Sequence, residues 1–146
     1  MKKIFSFFLV LMTLSTLSFA QNDLGFEFDY AKFNYDSTSV YLEFYYGLNP
    51  KNMQVISSDK GQMIEAIVHI EMKNLGTNEF FIKKDWKVQD FAAATSNDSA
   101  LKLLSGVLNF VVPKAKYSLL VKVWDSKNPN FSKTINETLL IEPVKS

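Results

Sequence analysis

The sequence predicts an all-β protein, an antiparallel sandwich of seven to eight strands. Apolar and polar residues alternate with period two along most of the chain from Phe26 onward, clusters of Gly, Pro, Asn, Asp and Ser interrupt the alternation at short intervals, and no helical period is sustained. Alternation gives each strand one apolar face, and two sheets that bury those faces against each other satisfy all of them.

Phe26, Phe28 and Tyr30 alternate with Glu27 and Asp29. After Ala31-Lys32 the aromatic phase resumes one position out, at Phe33 and Tyr35, as a bulge or bend between the two halves would produce. "DSTS" (Asp36 to Ser39) is a turn. Val40, Leu42, Phe44 and Tyr46 then share one face, with Tyr41, Glu43 and Tyr45 on the other, until "GLNPKN" ends the strand. A short strand around Met53 to Ile56 leads into "SSDKG", a hairpin connection with Gly61 suited to positive φ. The long strand Gln62 to Lys73 puts Ile64, Ala66, Val68, Ile70 and Met72 on one face and Glu65, Ile67, His69, Glu71 and Lys73 on the other. "NLGTN" turns the chain, and Glu79 to Val88 returns as the hairpin partner.

The stretch 91–105 reads two ways. Ser96 or Asn97 as cap and Gly106 as stop make a short helix near 96–105; a loop entering the next strand fits as well. Gly106 to Val112 is strand, Pro113 to Ala115 turns, and "YSLLVKVWD" points Tyr117, Leu119, Val121 and Val123 inward. "DSKNPN" turns again before the last strand, Thr134 to Glu142. A tyrosine opening the penultimate strand, two residues before an inward position, is a habit of immunoglobulin-like sandwiches. Tyr117 and Leu119 take those places, Leu119 standing where a disulfide-bonded domain carries cysteine. The expected fold is therefore an antiparallel immunoglobulin-like β-sandwich.

Residues 1–20 have the layout of a secretory signal peptide: a basic Met1-Lys2-Lys3, the uncharged apolar run Ile4 to Leu17, and small Ser18 and Ala20 before a cleavage point at Gln21. The apolar run is short for a membrane span, which needs about 20 residues. Cleavage leaves no stable span and one β-sandwich domain, residues 21–146, in the periplasm or secreted from a bacterial cell. The chain has no cysteine, so a lipid-anchored lipoprotein, disulfides and thiol chemistry are all excluded. Every basic residue is lysine, and without Lys2 and Lys3 the acidic residues outnumber them by one. No basic stripe or arginine fork exists to engage phosphates, which argues against nucleic acid as a partner.

No catalytic, metal-binding or cofactor-binding residues emerge. His69 is the sole histidine, and a metal centre needs three or four convergent ligands. A hydrolase built on His69 lacks a G-x-S-x-G elbow. The carboxylate pairs Glu27/Asp29 and Glu65/Glu71 alternate with apolar residues, as a solvated face does. "DSKNPN" has oxygen ligands for calcium, but Lys127 stands among them and no bidentate Glu follows at the required spacing.

Nine aromatic residues lie between Phe26 and Tyr46. Phe44 and Tyr46 are in phase with Val40 and Leu42 and belong to the core. Tyr41 and Tyr45 face outward, roughly 13 Å apart along the strand. Together with Ile67, an apolar residue on a polar face, they are the candidate recognition surface. The expected partner is another cell-envelope protein or domain; a glycan stacking on Tyr41, Tyr45 and Trp86 is the alternative.

Asp29, Tyr30, Ala31 and Phe33, followed by Glu43, Tyr45 and Tyr46, form a "D-Y-A-x-F" stretch before an "x-x-E-x-Y-Y" strand. Pro113, Tyr117, Leu119, Val121, Val123 and Asp125 follow "P-x-x-Y-x-L-x-V-x-V-x-D". In both stretches the chain resembles the N-terminal region of the bacterial exported family named for a Gly-Trp-x-Thr-Asp (GWxTD) motif, although no Gly-Trp pair occurs in it. The resemblance implies an exported β-sandwich module and carries no functional residues across. The functional expectation is a non-enzymatic module for protein–protein interaction or structural packing in the cell envelope.

Overall fold

A computed structural model describes residues 24–59, 61–91 and 103–142. They form β1 (Phe26–Asn34), β2 (Ser39–Leu48), β3 (Ile56–Ser58), β4 (Gly61–Asn74), β5 (Phe80–Phe91), β6 (Leu104–Pro113), β7 (Ala115–Asp125) and β8 (Ser132–Ile141). All strand pairings among the described residues are antiparallel. Sheet A has the order β1-β2-β6; sheet B runs β5-β4-β7-β8, with β3 also on β4. Met63 of β4 pairs with Phe91 of β5 and with Ile56 of β3, so β3 shares the β7 edge of β4, beyond the first β7 pair at Ala66 and Asp125. The hairpins β4–β5 and β7–β8 lie in one sheet, while β2 pairs with the distant β6 in the other. That is an antiparallel immunoglobulin-like β-sandwich, the sandwich predicted by the alternation and the immunoglobulin-like form by the place of Tyr117.

The inner faces are those the period-two pattern names. Val40, Leu42 and Phe44 from sheet A meet Ala66, Val68, Ile70, Met72, Leu119, Val121 and Val123 from sheet B, all buried. Each large aliphatic or aromatic side chain so removed from water contributes roughly 1.5–3 kcal/mol. Phe28 lies 5.2 Å from Phe44, Phe44 5.8 Å from Phe110, and Phe110 6.1 Å from Trp86 on the opposing sheet. This line of rings crosses sheet A from edge to edge and takes in two of the nine aromatic residues between 26 and 46.

Tyr117 opens β7 inside the core, and its hydroxyl donates to the Pro113 carbonyl at 3.0 Å. The corner from β6 to β7 is thus closed from within, with the tyrosine in the role the sequence assigned to it. The turns follow their chemistry. The Asp36 carboxylate accepts from the Thr38 and Ser39 N–H groups, both at 2.7 Å. The Asn74 side chain accepts from Gly76 at 2.8 Å, and Asn78 takes φ 64°. Gly61 has φ 114°, in the left-handed region expected of it.

Several expectations are corrected. β1 carries no bulge: it pairs in unbroken register with β2 from Phe26↔Leu48 to Asn34↔Val40. Phe33 therefore stays out of phase with Phe26, Phe28 and Tyr30 and faces solvent opposite Tyr41. A ring paired across the ladder offsets the cost of that exposure. The third strand begins only at Ile56, and Met53 instead drops into the core. β6 starts at Leu104, earlier than expected, so Leu104 and Ser105 are extended; the rest of the proposed short helix near 96–105 lies mostly outside the described residues. The expected signal segment, 1–20, also lies outside them. No helix among the described residues is long and apolar enough to cross a membrane.

Candidate recognition surface

The outer face of sheet A is built from the odd-numbered residues of β1, β2 and β6. Register places Phe33, Tyr41 and Val111 in one row, Ala31, Glu43 and Asn109 in the next, and Asp29, Tyr45 and Val107 in a third. Phe33, Val107 and Val111 are 47%, 48% and 40% exposed, and Tyr45 is 38% exposed. The three charged groups in the paired register of this face, Glu27, Asp29 and Glu43, are all acidic. The face is aromatic, aliphatic and negative.

Tyr41 and Tyr45 sit on this face as expected, but neither ring is free. Tyr41 leans on Phe33, with centroids 6.4 Å apart and planes at 53°. The Tyr45 hydroxyl donates to the Glu43 carboxylate. That bond, with burial and the Glu43 charge adding to it, raises the hydroxyl above its ordinary value of 10.0. The Phe33–Tyr41 pair presents a tilted wedge, not a flat platform.

Ile67 is elsewhere. It lies half-buried on the outer face of sheet B, in a row with Lys87 and Trp124, so the sandwich separates it from Tyr41 and Tyr45. Trp86 shares the inward phase of Val68 and packs edge-on against Phe110. It is half-buried at the core rim and cannot stack a ligand beside Tyr41. The residues that do join the tyrosines are Phe33, Val107 and Val111. Phe33 announced itself by its broken phase; Val107 and Val111 could be assigned to this face only once β6 was known to pair with β2.

Charged groups on the outer face of sheet B pair with one another. His69 contacts Asp85 through Nδ1 at 2.5 Å and Glu71 through Nε2 at 3.2 Å. Lys83 reaches Glu71 at 2.9 Å, and Lys87 reaches Glu65 at 3.2 Å. Lys83, with burial opposing and His69 assisting, holds the Glu71 carboxyl below the usual glutamate value. With carboxylates at both ring nitrogens, His69 has no nitrogen left to activate a nucleophile. Among the described residues no group of three or more His, Asp or Glu side chains is arranged to hold a metal ion.

In the "DSKNPN" turn, the buried Asp125 carboxylate is consumed by the backbone. One oxygen accepts from Gln54 N–H at 2.6 Å; the other accepts from Lys127 at 2.8 Å and Asn128 at 3.3 Å. This carboxylate pins the β2–β3 connection to the β7–β8 turn, a structural task in place of a calcium site.

No protein-family model matches the chain, and no curated protein matches it.

Proposed function

We propose that the protein is an exported, non-enzymatic β-sandwich module that binds another protein of the bacterial cell envelope, in the periplasm or outside the cell. The observation that carries this reading is the asymmetry of the two outer faces. Sheet B pairs lysines with carboxylates across the middle of its outer face, and its exposed apolar residues Phe80 and Leu140 stand apart near strand ends. Sheet A leaves Phe33, Tyr45, Val107 and Val111 in water, with Tyr41 between them. Contiguous exposed apolar groups with a polar rim are what protein interfaces are made of. The signal-like first twenty residues and the GWxTD resemblance supply the export and envelope part of the proposal.

The test is a crosslinking pull-down from cell envelopes with the wild type and with Phe33→Ala/Tyr41→Ala. Recovery of a partner by the wild type and its loss in the double variant support the reading. A protein that stays monomeric and recovers no partner overturns it. A second reading, carbohydrate binding, draws on the exposed Tyr45 ring. Glycan-array binding abolished by Tyr45→Ala would promote it; silence on every glycan ends it.

A further inference from the structure

The two sheets meet unevenly at their edges. On one side Lys32 of β1 donates to the Leu140 carbonyl of β8 at 3.2 Å and ties the edges together. On the other side β5 and β6 flank a cleft of about 520 Å³, lined by Ile82, Lys84 and Trp86 from β5 and Leu108 and Phe110 from β6, among others. Along one edge β6 pairs with β2; along the other it pairs with no strand among the described residues.

The four long edge strands differ in charge. β1 carries Glu27, Asp29 and Lys32; β5 carries Lys83, Lys84, Asp85, Lys87 and Asp90; β8 carries Lys133 and Glu137. β6, "LSGVLNFVVP", is 10 residues long and carries none. Charged side chains are a common device by which sheet edges repel further strands, and β6 itself lacks that device.

The cleft beside that edge has its own polarity. Its lining includes Lys83 and Lys84 and no carboxylate. Lys83 is engaged by Glu71 on the outer face. Lys84 shares the inward phase of Ile82 and Trp86, its ammonium 5.5 Å from the Trp86 ring centroid. No carboxylate among the described residues pairs with Lys84.

The geometry points to β6 as a strand-accepting edge. It takes an extended segment of a partner protein as a fourth strand of sheet A. Alternate side chains of that segment enter the cleft, apolar ones over Phe110 and Trp86 and a carboxylate against Lys84. The cleft-facing positions of the partner segment, every second residue, are therefore apolar with one acidic residue among them. In such pairing the ladder supplies affinity and the alternate pockets supply selectivity. The inference rests on the protein-binding reading above and adds to it the edge and the chemistry of the partner.

The test uses the purified protein and labelled peptides of about ten residues, a length that covers one edge strand. One has Val at every second position with a single Asp replacing one Val and Thr at the positions between, one has Lys in place of that Asp, and one has the first composition in scrambled order. Anisotropy measures affinity, and amide exchange locates the bound strand. The expected result is selective binding of the Asp-containing peptide with new protection of β6 amides. Lys84→Glu, at an exposed position, weakens that peptide by about tenfold and improves the Lys-containing peptide.

Equal binding of all three peptides, binding of none, or β6 amides that exchange as in the free protein overturns the proposal. So does a concentration-dependent dimer that protects β6 without peptide, since the occupant is then a second copy. The broader reading fails on a different result, the absence of any envelope partner for the wild type. A partner kept by Lys84→Glu but lost with Phe33→Ala/Tyr41→Ala overturns the β6 proposal alone.

Discussion

The Tyr117 hydroxyl donates to the Pro113 carbonyl at 3.0 Å, across the turn that carries the chain from sheet A into sheet B. Leu75 donates its N–H to the Lys116 carbonyl at 2.9 Å from the neighbouring β4–β5 turn. One corner of the sandwich is thus held by a buried ring from inside and a backbone bond from outside. Without cysteine, this corner and the core take the place of the inter-sheet disulfide found in many domains of this shape.

Removing the hydroxyl tests the corner directly. Tyr117→Phe leaves the ring in place and frees the Pro113 carbonyl, so stability falls by about 1–2 kcal/mol in urea titration. Burial raises the Tyr117 hydroxyl above its ordinary value of 10.0. A raised folded value means that the contribution is whole below pH 10 and lost as pH rises through the folded value. The wild type accordingly loses more stability than Tyr117→Phe above pH 10. Identical alkaline profiles would remove Tyr117 as a cause.

Asp125 is the buried charged side chain of the described core, and three backbone N–H groups depend on it. Asp125→Ala strands those donors where water enters poorly, at a cost of about 3 kcal/mol. Asp125→Asn keeps one acceptor oxygen and costs less. Calcium titration of the wild type should leave its melting temperature unchanged, because the backbone already occupies the carboxylate. A calcium-dependent rise would show that the turn binds the ion instead.

The outer face of sheet B sets part of the acid limb of stability. Lys83 depresses the Glu71 carboxyl below its ordinary 4.5, and the Thr38 N–H does the same for Asp36 from 3.8. Depressed folded values contribute above the unfolded value and are lost as pH falls through the folded one. Urea midpoints should therefore be flat from neutral pH down to pH 4.5 as far as these groups are concerned, then fall. Lys83→Met should shrink the fall and bring the Glu71 titration, followed by carboxyl NMR, toward 4.5. An unmoved Glu71 titration would mean that His69 alone depresses it.

The strands were legible because period two reports directly which side of a pleated chain is dry. Val40, Leu42, Phe44, Tyr117 and Leu119 all point inward as alternation requires. The phase break at Phe33 was misjudged because an aromatic ring facing solvent and a one-residue bulge leave the same trace in a sequence. Only the register opposite Tyr41 separates them. The candidate recognition surface was half legible for a related reason. Alternation tells inside from outside within one strand, but it does not say which outside faces belong to the same sheet. Tyr41 and Tyr45 share a strand and stay together, whereas Ile67 and Trp86 belong to sheet B, and Val107 and Val111 join only through the β2–β6 ladder.

Gly106 supplies a prediction whose sign is unusual for a strand. Glycine inside a strand is ordinarily a weak point, and alanine there gains roughly 0.5–1 kcal/mol by restricting the unfolded chain. Here Tyr46 sits directly opposite on β2, and its ring lies across Gly106, with the Cε1 carbon 2.9 Å from where a Cβ would stand. The ring covers the gap in the side-chain layer, as an aromatic neighbour does for glycine in a sheet. Gly106→Ala must push that ring aside and should cost about 1–2 kcal/mol. In a Tyr46→Ala background the obstruction is gone, and the same substitution should become neutral or stabilising. A double-mutant cycle in urea measures this coupling, and additive effects would show that Tyr46 does not rest on Gly106.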